Sequence, residues 1–201
     1  ERARRAGLRI TGEVEEAFRI SRVPVAAITG TNGKSTTTSL VSWILECQGM
    51  RAPAGGNLGT PYSQLVALHP AADVHVVEVS SFQAETLDMF RPRVGALLNL
   101  TADHLDRHGT FDAYAEAKGR VFRRMTLDDT LVVGEGEALH PCMTGIAAQR
   151  SWFGAGPGPR GAWEDDGVLR VVVAGEVREA GRIDDIPLPG FHQRLNVLAA
   201  L

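Results

Sequence analysis

Four groups of residues in this chain have the types and spacing to act on phosphate. The first is the loop Gly30-Thr31-Asn32-Gly33-Lys34-Ser35-Thr36. Gly30 and Gly33 can take backbone angles closed to other residues, so successive N–H groups can turn toward one anion. Lys34 adds a mobile cation, and Ser35 a hydroxyl suited to a magnesium ion that bridges phosphates. The position five before Gly33 is Ile28, not glycine, so the standard spacing is absent and an ordinary helix-capping turn competes with the phosphate reading. The second is Glu78, which ends an apolar run; it is a metal-ligand candidate or a salt-bridged, helix-capping acid. The third is Asp103-His104-Leu105-Asp106-Arg107-His108, which can build a metal or phosphoryl site or be a solvated turn. The fourth is Lys118, on a helical stretch where most lysines merely lie along the surface.

The elements that must position these groups follow from the apolar pattern. Residues 23–28 read as a strand that feeds the loop, and residues 35–48 as the first helix, with Leu40, Val41, Ile44 and Leu45 at helical spacing and Gly49 as its left-handed end. The helix aims its positive end at the loop. Residues 74–79 and 94–100 are short, nearly all-apolar runs, as expected of central strands in a parallel sheet. Each is followed by a polar cluster, where ligands of open α/β sheets bind. A short strand near residues 51–54 precedes a second glycine-rich loop over residues 55–61. A helix is expected over 14–20, with Phe18 as its contact. Another is expected over 110–125, with Thr110 as its N-cap, and a strand over 130–133. Residues 134–139 mimic a dinucleotide fingerprint, but Leu139 stands where the third glycine belongs. A helix is expected over 137–149, antiparallel strands with tight turns from residue 151 onward, and a final helix over 191–201. The fold class is therefore α/β: a P-loop mononucleotide-binding fold with a mostly parallel central sheet flanked by helices, plus a small antiparallel sheet near the C-terminal part.

Composition narrows the function. At 201 residues, one α/β domain with a sizeable core is expected. A net charge of −3 and an isoelectric point near 6.1 give no support for a nucleic-acid surface. Cys47 and Cys142 are far apart and imply no disulfide framework; both are expected to be quiet, partly buried thiols. No apolar run approaches the ~18 residues of a membrane span, and the arginine-rich start is unlike a secretory signal. A reducing, cytoplasmic setting is expected, with no nucleic-acid or membrane partner.

Taken together, several segments resemble the central domain of the Mur ligase family, the ATP-dependent amino-acid ligases of peptidoglycan synthesis. They are G-T-N-G-K-S-T at 30–36, G-N-L-G-T-P at 56–61, E-V-S-S-F-Q-A-E at 78–85, N-L-T-A-D-H-L-D-R at 99–107, Y-A-E-A-K at 114–118 and G-F-H-Q-R-L-N-V-L-A-A at 190–200. They stand in the family's order across nearly the whole chain, and S-S-F-Q is most similar to the branch that adds D-glutamate. The resemblance implies that ATP activates the carboxylate of UDP-N-acetylmuramoyl-L-alanine as an acyl phosphate, which the amino group of D-glutamate attacks. It implies that residues 30–36 hold the ATP phosphates and that Ser35, Glu78, His104 and a carbamylated Lys118 hold two magnesium ions. It places Asn57, Ser80 and Gln83 toward the nucleotide-sugar substrate and Asn196 near adenine. Carbamylation turns a repelling ammonium into an oxygen donor and requires a neutral amine, hence a lowered lysine pKa. Asp103 is a candidate to orient His104.

The last segment departs from the family pattern H-N-x-x-N: His192 and Asn196 match, while Gln193 replaces an asparagine and moves the amide by one methylene. The resemblance further implies that residues 1–22 are a linker from an N-terminal UDP-binding domain, that 23–190 are the ATP-binding domain and that 191–201 begin the helix toward a C-terminal amino-acid-binding domain. The chain is thus expected to start mid-protein, to be inactive alone and to be a monomer. Alternatives are a ligase like folylpolyglutamate synthetase or cyanophycin synthetase, and a nucleotide-binding module without catalysis.

Overall fold

A computed structural model describes residues 2–134, 136–137, 140–154, 156–188 and 190–201, the side chains of Ala3 and Arg4 excepted. One nine-stranded sheet runs through the molecule in the order β2-β3-β1-β4-β5-β6-β7-β8-β9. Its parallel part comprises β1 (Val25–Thr29), β2 (Ala54–Gly56), β3 (His75–Glu78), β4 (Val94–Leu97), β5 (Thr130–Gly134), β6 (Gln149–Phe153) and β7 (Gly161–Asp165). Strands β8 (Val168–Val173) and β9 (Glu176–Arg182) continue it antiparallel. The antiparallel strands expected near the C-terminal part are present as an extension of the main sheet, but β6 and β7, within the stretch expected to be antiparallel, pair parallel.

Both faces of the parallel part are covered, which explains its almost unbroken apolar runs. Side chains alternate across a strand. Val25, Ala27, Val77, Val79 and Leu97 pack on one face against α2 (Glu13–Ile20), α4 (Tyr62–Leu68) and the turn that follows α7 (Phe111–Gly119). Ile28, Val76, Ala96 and Leu98 pack on the other against α3 (Lys34–Cys47) and α8 (Phe191–Ala200). The remaining helices are short: α1 (Arg2–Arg5), α5 (Ser81–Ala84) and α6 (Leu105–His108). Helix α2 is pinned by Glu15. Its buried carboxylate accepts the N–H groups of Asp88, Met89 and Phe90 and pairs with Arg19. Burial alone would raise the Glu15 pKa; these donors together bring it below the ordinary carboxylate range.

Several expectations need correction. Of the helix expected over 137–149, residues 138 and 139 lie outside the described residues, and residues 140–149 do not form one: a short 3-10 turn, Pro141–Met143, leads into β6. Pro141 lacks the N–H an α-helix interior needs, and it opens the turn instead. Of the dinucleotide-like segment, residues 135, 138 and 139 lie outside the described residues. The strand expected near 51–54 falls at Ala54–Gly56, so the second glycine loop starts inside β2. The helix expected to reach 125 is α only as far as Gly119, a weak helix former, and continues as the 3-10 turn Arg120–Phe122. Cys47 is exposed, not partly buried. Burial pushes the Cys142 thiol up to about 11, which makes it a poor nucleophile. Among the described residues no helix is long and apolar enough to cross a membrane.

Candidate active site

The phosphate loop leaves β1 and enters α3 through Gly33, whose φ of 85° is the left-handed region. A side chain there would be strained by that angle and would also collide with Asn196 Oδ1, 2.2 Å from an ideal Cβ. Helix α8 is therefore seated directly on the loop. Asn99, at the carboxyl end of β4, braces the loop from the other side. Its Oδ1 accepts Asn32 N–H at 2.8 Å, its Nδ2 donates to Asn32 O at 2.9 Å, and its carbonyl accepts Thr31 N–H at 3.0 Å. The N–H groups of Thr31 and Asn32 are thus engaged within the loop. The donors that face outward begin at the first turn of α3, where no intrahelical carbonyl can accept them. The N–H groups of Thr31 and Asn32 are therefore turned to Asn99, while those at the first turn of α3 are placed as an anion site requires.

Glu78 is 1% exposed and ends β3 directly beside this turn. Ser35 Oγ donates to its Oε2 and Asn57 Nδ2 to its Oε1, both at 2.7 Å. A carboxylate touching a hydroxyl at the mouth of a phosphate loop is an all-oxygen donor pair, which fits magnesium. Lys34 Nζ donates to Thr31 O at 2.8 Å, folded back along the loop.

Lys118 is not a surface lysine. It is 2% exposed, and its Nζ donates to Gly30 O at 2.6 Å and lies 4.6 Å from the Tyr114 ring centroid. Burial, helped by the nearby Lys34 ammonium, pushes its pKa down to about 7; Asp103 and Glu78 act weakly in the opposite sense. A buried ammonium with no carboxylate in contact is costly, so the amine is readily neutral. Tyr114 also donates to Thr31 Oγ1 at 3.0 Å, which ties α7 to the loop.

The histidine cluster divides. The His104 side chain is 50% exposed, its φ is 50°, and Asp103 stands 3.6 Å from its Nε2 while accepting its backbone N–H. The His108 side chain is only 4% exposed. Ser80 and Gln83 form a capping box on α5: Ser80 Oγ accepts Gln83 N–H, and Gln83 Oε1 accepts Ser80 N–H. Asn196 Nδ2 donates to Gln193 Oε1 at 3.0 Å, so the longer amide supports its neighbour. No group of three or more His, Cys, Asp or Glu side chains converges among the described residues; a metal here would also draw on hydroxyl and modified-lysine oxygens.

Two features were missed in the sequence. Asn99 was read only as part of a matching segment, and its bracing contacts arise across 67 residues of chain. Phe153, from the far half of the sheet, helps line a cavity of about 370 Å³ with Asn32, Gly33, Asn99, His192 and Asn196. That cavity adjoins the loop and is of a size that holds a small ligand. A larger cavity of about 590 Å³ lies away from the loop, where Arg9 and Arg124 are already paired with Asp88. It offers no phosphate loop and no buried carboxylate.

Comparisons with known proteins bear on the chain's descent and fold. The family described as Mur ligase middle domain matches residues 28–201. The UDP-N-acetylmuramoylalanine–D-glutamate ligase of Syntrophotalea carbinolica is 43% identical over 200 residues, covering 99% of this chain and 44% of that protein. The enzyme of the same name from Pelotomaculum thermopropionicum is 40% identical over 199 residues, covering 98% and 44%. The chain thus spans under half the length of these curated relatives. Among solved structures, MurF from Acinetobacter baumannii superposes with a TM-score of 0.68 over 94% of this chain and 44% of that one, at 18% identity. MurF ligase from Thermotoga maritima in complex with ADP gives 0.63 over 93% and 46%, also at 18%. At that identity the superpositions speak for the fold; the sequence matches speak for descent, and the chain belongs to the Mur ligase family.

Proposed function

We propose that this chain is the ATP-binding middle part of a cytoplasmic ligase that joins D-glutamate to UDP-N-acetylmuramoyl-L-alanine. The observation that carries the reading is the meeting of Ser35, Glu78 and the buried Lys118 around one phosphate loop. Relatives bearing that enzyme name match nearly the whole chain, and S-S-F-Q stands at residues 80–83. Residues 1–22 and 191–201 are proposed to lead to the parts that grip the UDP group and the amino acid.

In this reading the first turn of α3 receives the ATP phosphates, and Lys34 swings from Thr31 O toward the transferring group. The cavity beside Asn196 and Phe153 takes the base. Transfer between two anions needs alignment and charge neutralisation more than covalent help. Magnesium, held by Ser35, Glu78, His104 and a carbamylated Lys118, supplies that neutralisation when bound. Glu78 keeps its orientation through Asn57, and Ser35 turns its lone pairs outward. Asn57, Ser80 and Gln83 face the acyl end of the nucleotide sugar from beside Glu78. Transfer of the γ-phosphoryl group to the carboxylate breaks the bond to the β-phosphate and leaves ADP; the amino group of D-glutamate then attacks the acyl carbon, forming the amide as the bond to phosphate breaks, with phosphate and a proton released.

The test is release of ADP by the full-length protein with UDP-N-acetylmuramoyl-L-alanine and a panel of amino acids. Release dependent on D-glutamate is expected. Release with a folate or a polypeptide acceptor instead would move the protein to another branch, and none with any acceptor would leave a binding module.

A further inference from the structure

We infer that His108 is a positioning residue: its imidazole, clamped between Ser81 and Glu85, fixes where the His104 turn stands relative to Lys118. The inference rests on the reading of His104 and Lys118 as metal-holding groups given above.

Helix α6 has only four residues, none of them buried as a whole, and it begins at His104 in a left-handed conformation. Such a turn cannot hold its place by packing. What anchors it is one inward-pointing ring. His108 Nε2 lies 3.0 Å from Ser81 Oγ, and Nδ1 lies 3.5 Å from Glu85 Oε1. A carboxylate facing Nδ1 favours the proton there, so Nε2 accepts from the Ser81 hydroxyl. Glu85 also accepts from Arg107 Nη2 at 3.0 Å, so one acid holds the last two residues of α6.

The ring links both sides of the site. It stacks on Phe82 at 5.5 Å with 3° between planes, and Phe82 in turn lies 5.0 Å from the His104 ring. Its other face meets the edge of Tyr114 at 5.4 Å. Tyr114 is the residue that bonds Thr31 in the loop and lies against Lys118. A filler histidine would need only the ring contacts. A hydrogen bond to Ser81, next to the α5 cap, and an acid 3.5 Å from the opposite ring nitrogen specify an orientation as well, as outer partners do for metal ligands.

The experiment titrates Mn²⁺ against the full-length protein with ATP present, read by electron paramagnetic resonance, beside thermal melts. His108→Phe keeps the stack and loses the hydrogen bond to Ser81 and the polar contact with Glu85; Glu85→Gln keeps the shape and loses the charge. Mn²⁺ binding about tenfold weaker in His108→Phe is expected. Glu85→Gln should shift it in the same direction, the double variant should be no worse than His108→Phe, and melting should be little changed. Glu85→Gln carries the test if His108→Phe does not fold. Unchanged Mn²⁺ binding with a lowered melting temperature would overturn the inference and leave a packing role. Absence of Mn²⁺ binding in the unsubstituted protein would instead remove the metal-site reading itself.

Discussion

The two flanks of the site are built differently. On the phosphate side every group is held from several directions: Asn99 and Asn196 grip the loop, Asn57 and Ser35 hold Glu78, and Lys118 is buried against Gly30. On the other flank, His104 stands half-exposed on a turn with no buried residue of its own. The first flank is preorganised and the second is held through contacts. Binding of phosphate should depend on the first alone, and the second should matter once the acceptor and metal are engaged.

Substitutions can break that contrast. The largest effect is expected from Lys34→Ala in the full-length protein, a fall in turnover of roughly 10³-fold, because one charge-stabilising donor to the transferring group is lost. Steady-state ADP release measures it, and near-normal turnover would count against the loop. His104→Ala should cost less, about 10- to 100-fold in turnover. It should leave ATP affinity nearly unchanged in a calorimetric titration; a large loss of ATP affinity would mean the flanks are not separable. Smaller still, Gly33→Ala should destabilise the fold by about 1–2 kcal/mol through its left-handed backbone alone. Displacement of Asn196 would add to that, and a denaturant melt reads the sum. A loss no larger than that backbone cost would mean that α8 is not seated on the loop.

Much of the preorganised flank was legible in the sequence, because its parts are local. An apolar strand, two glycines at the needed positions and a lysine-serine helix start announce themselves within a dozen residues. Glu78 was legible because it ends a second such strand. Lys118 was legible only through the resemblance, since spacing on a helix cannot tell a buried amine from a surface one; its burial comes from the loop and Tyr114 closing over it. That His108 is enclosed while His104 stays half-exposed was likewise invisible, as it depends on Glu85 and Phe82 from another segment. The parallel pairing of β6 and β7 was not legible, because β7 follows a glycine- and proline-rich stretch that reads as a tight turn and pairs with β6 at only two positions, Trp152 with Gly161 and Phe153 with Ala162. The supposed helix over 137–149 failed because Pro141 opened a 3-10 turn and the residues beyond it led into an added strand.

The central claim is that a neutral, modifiable amine stands at the phosphate loop. It is tested most directly by nuclear magnetic resonance of the full-length protein in isotope-labelled bicarbonate with magnesium present. Lys118 has its pKa lowered from 10.5 to about 7, so its neutral form is present above that point and is lost as the pH falls through it. A carbamate carbon signal should appear at mildly alkaline pH. It should shrink about tenfold per pH unit below the lysine pKa, as a single titrating amine requires, and be absent in Lys118→Met. No carbamate signal in the unsubstituted protein at any of these pH values, or one that survives Lys118→Met, would contradict the account.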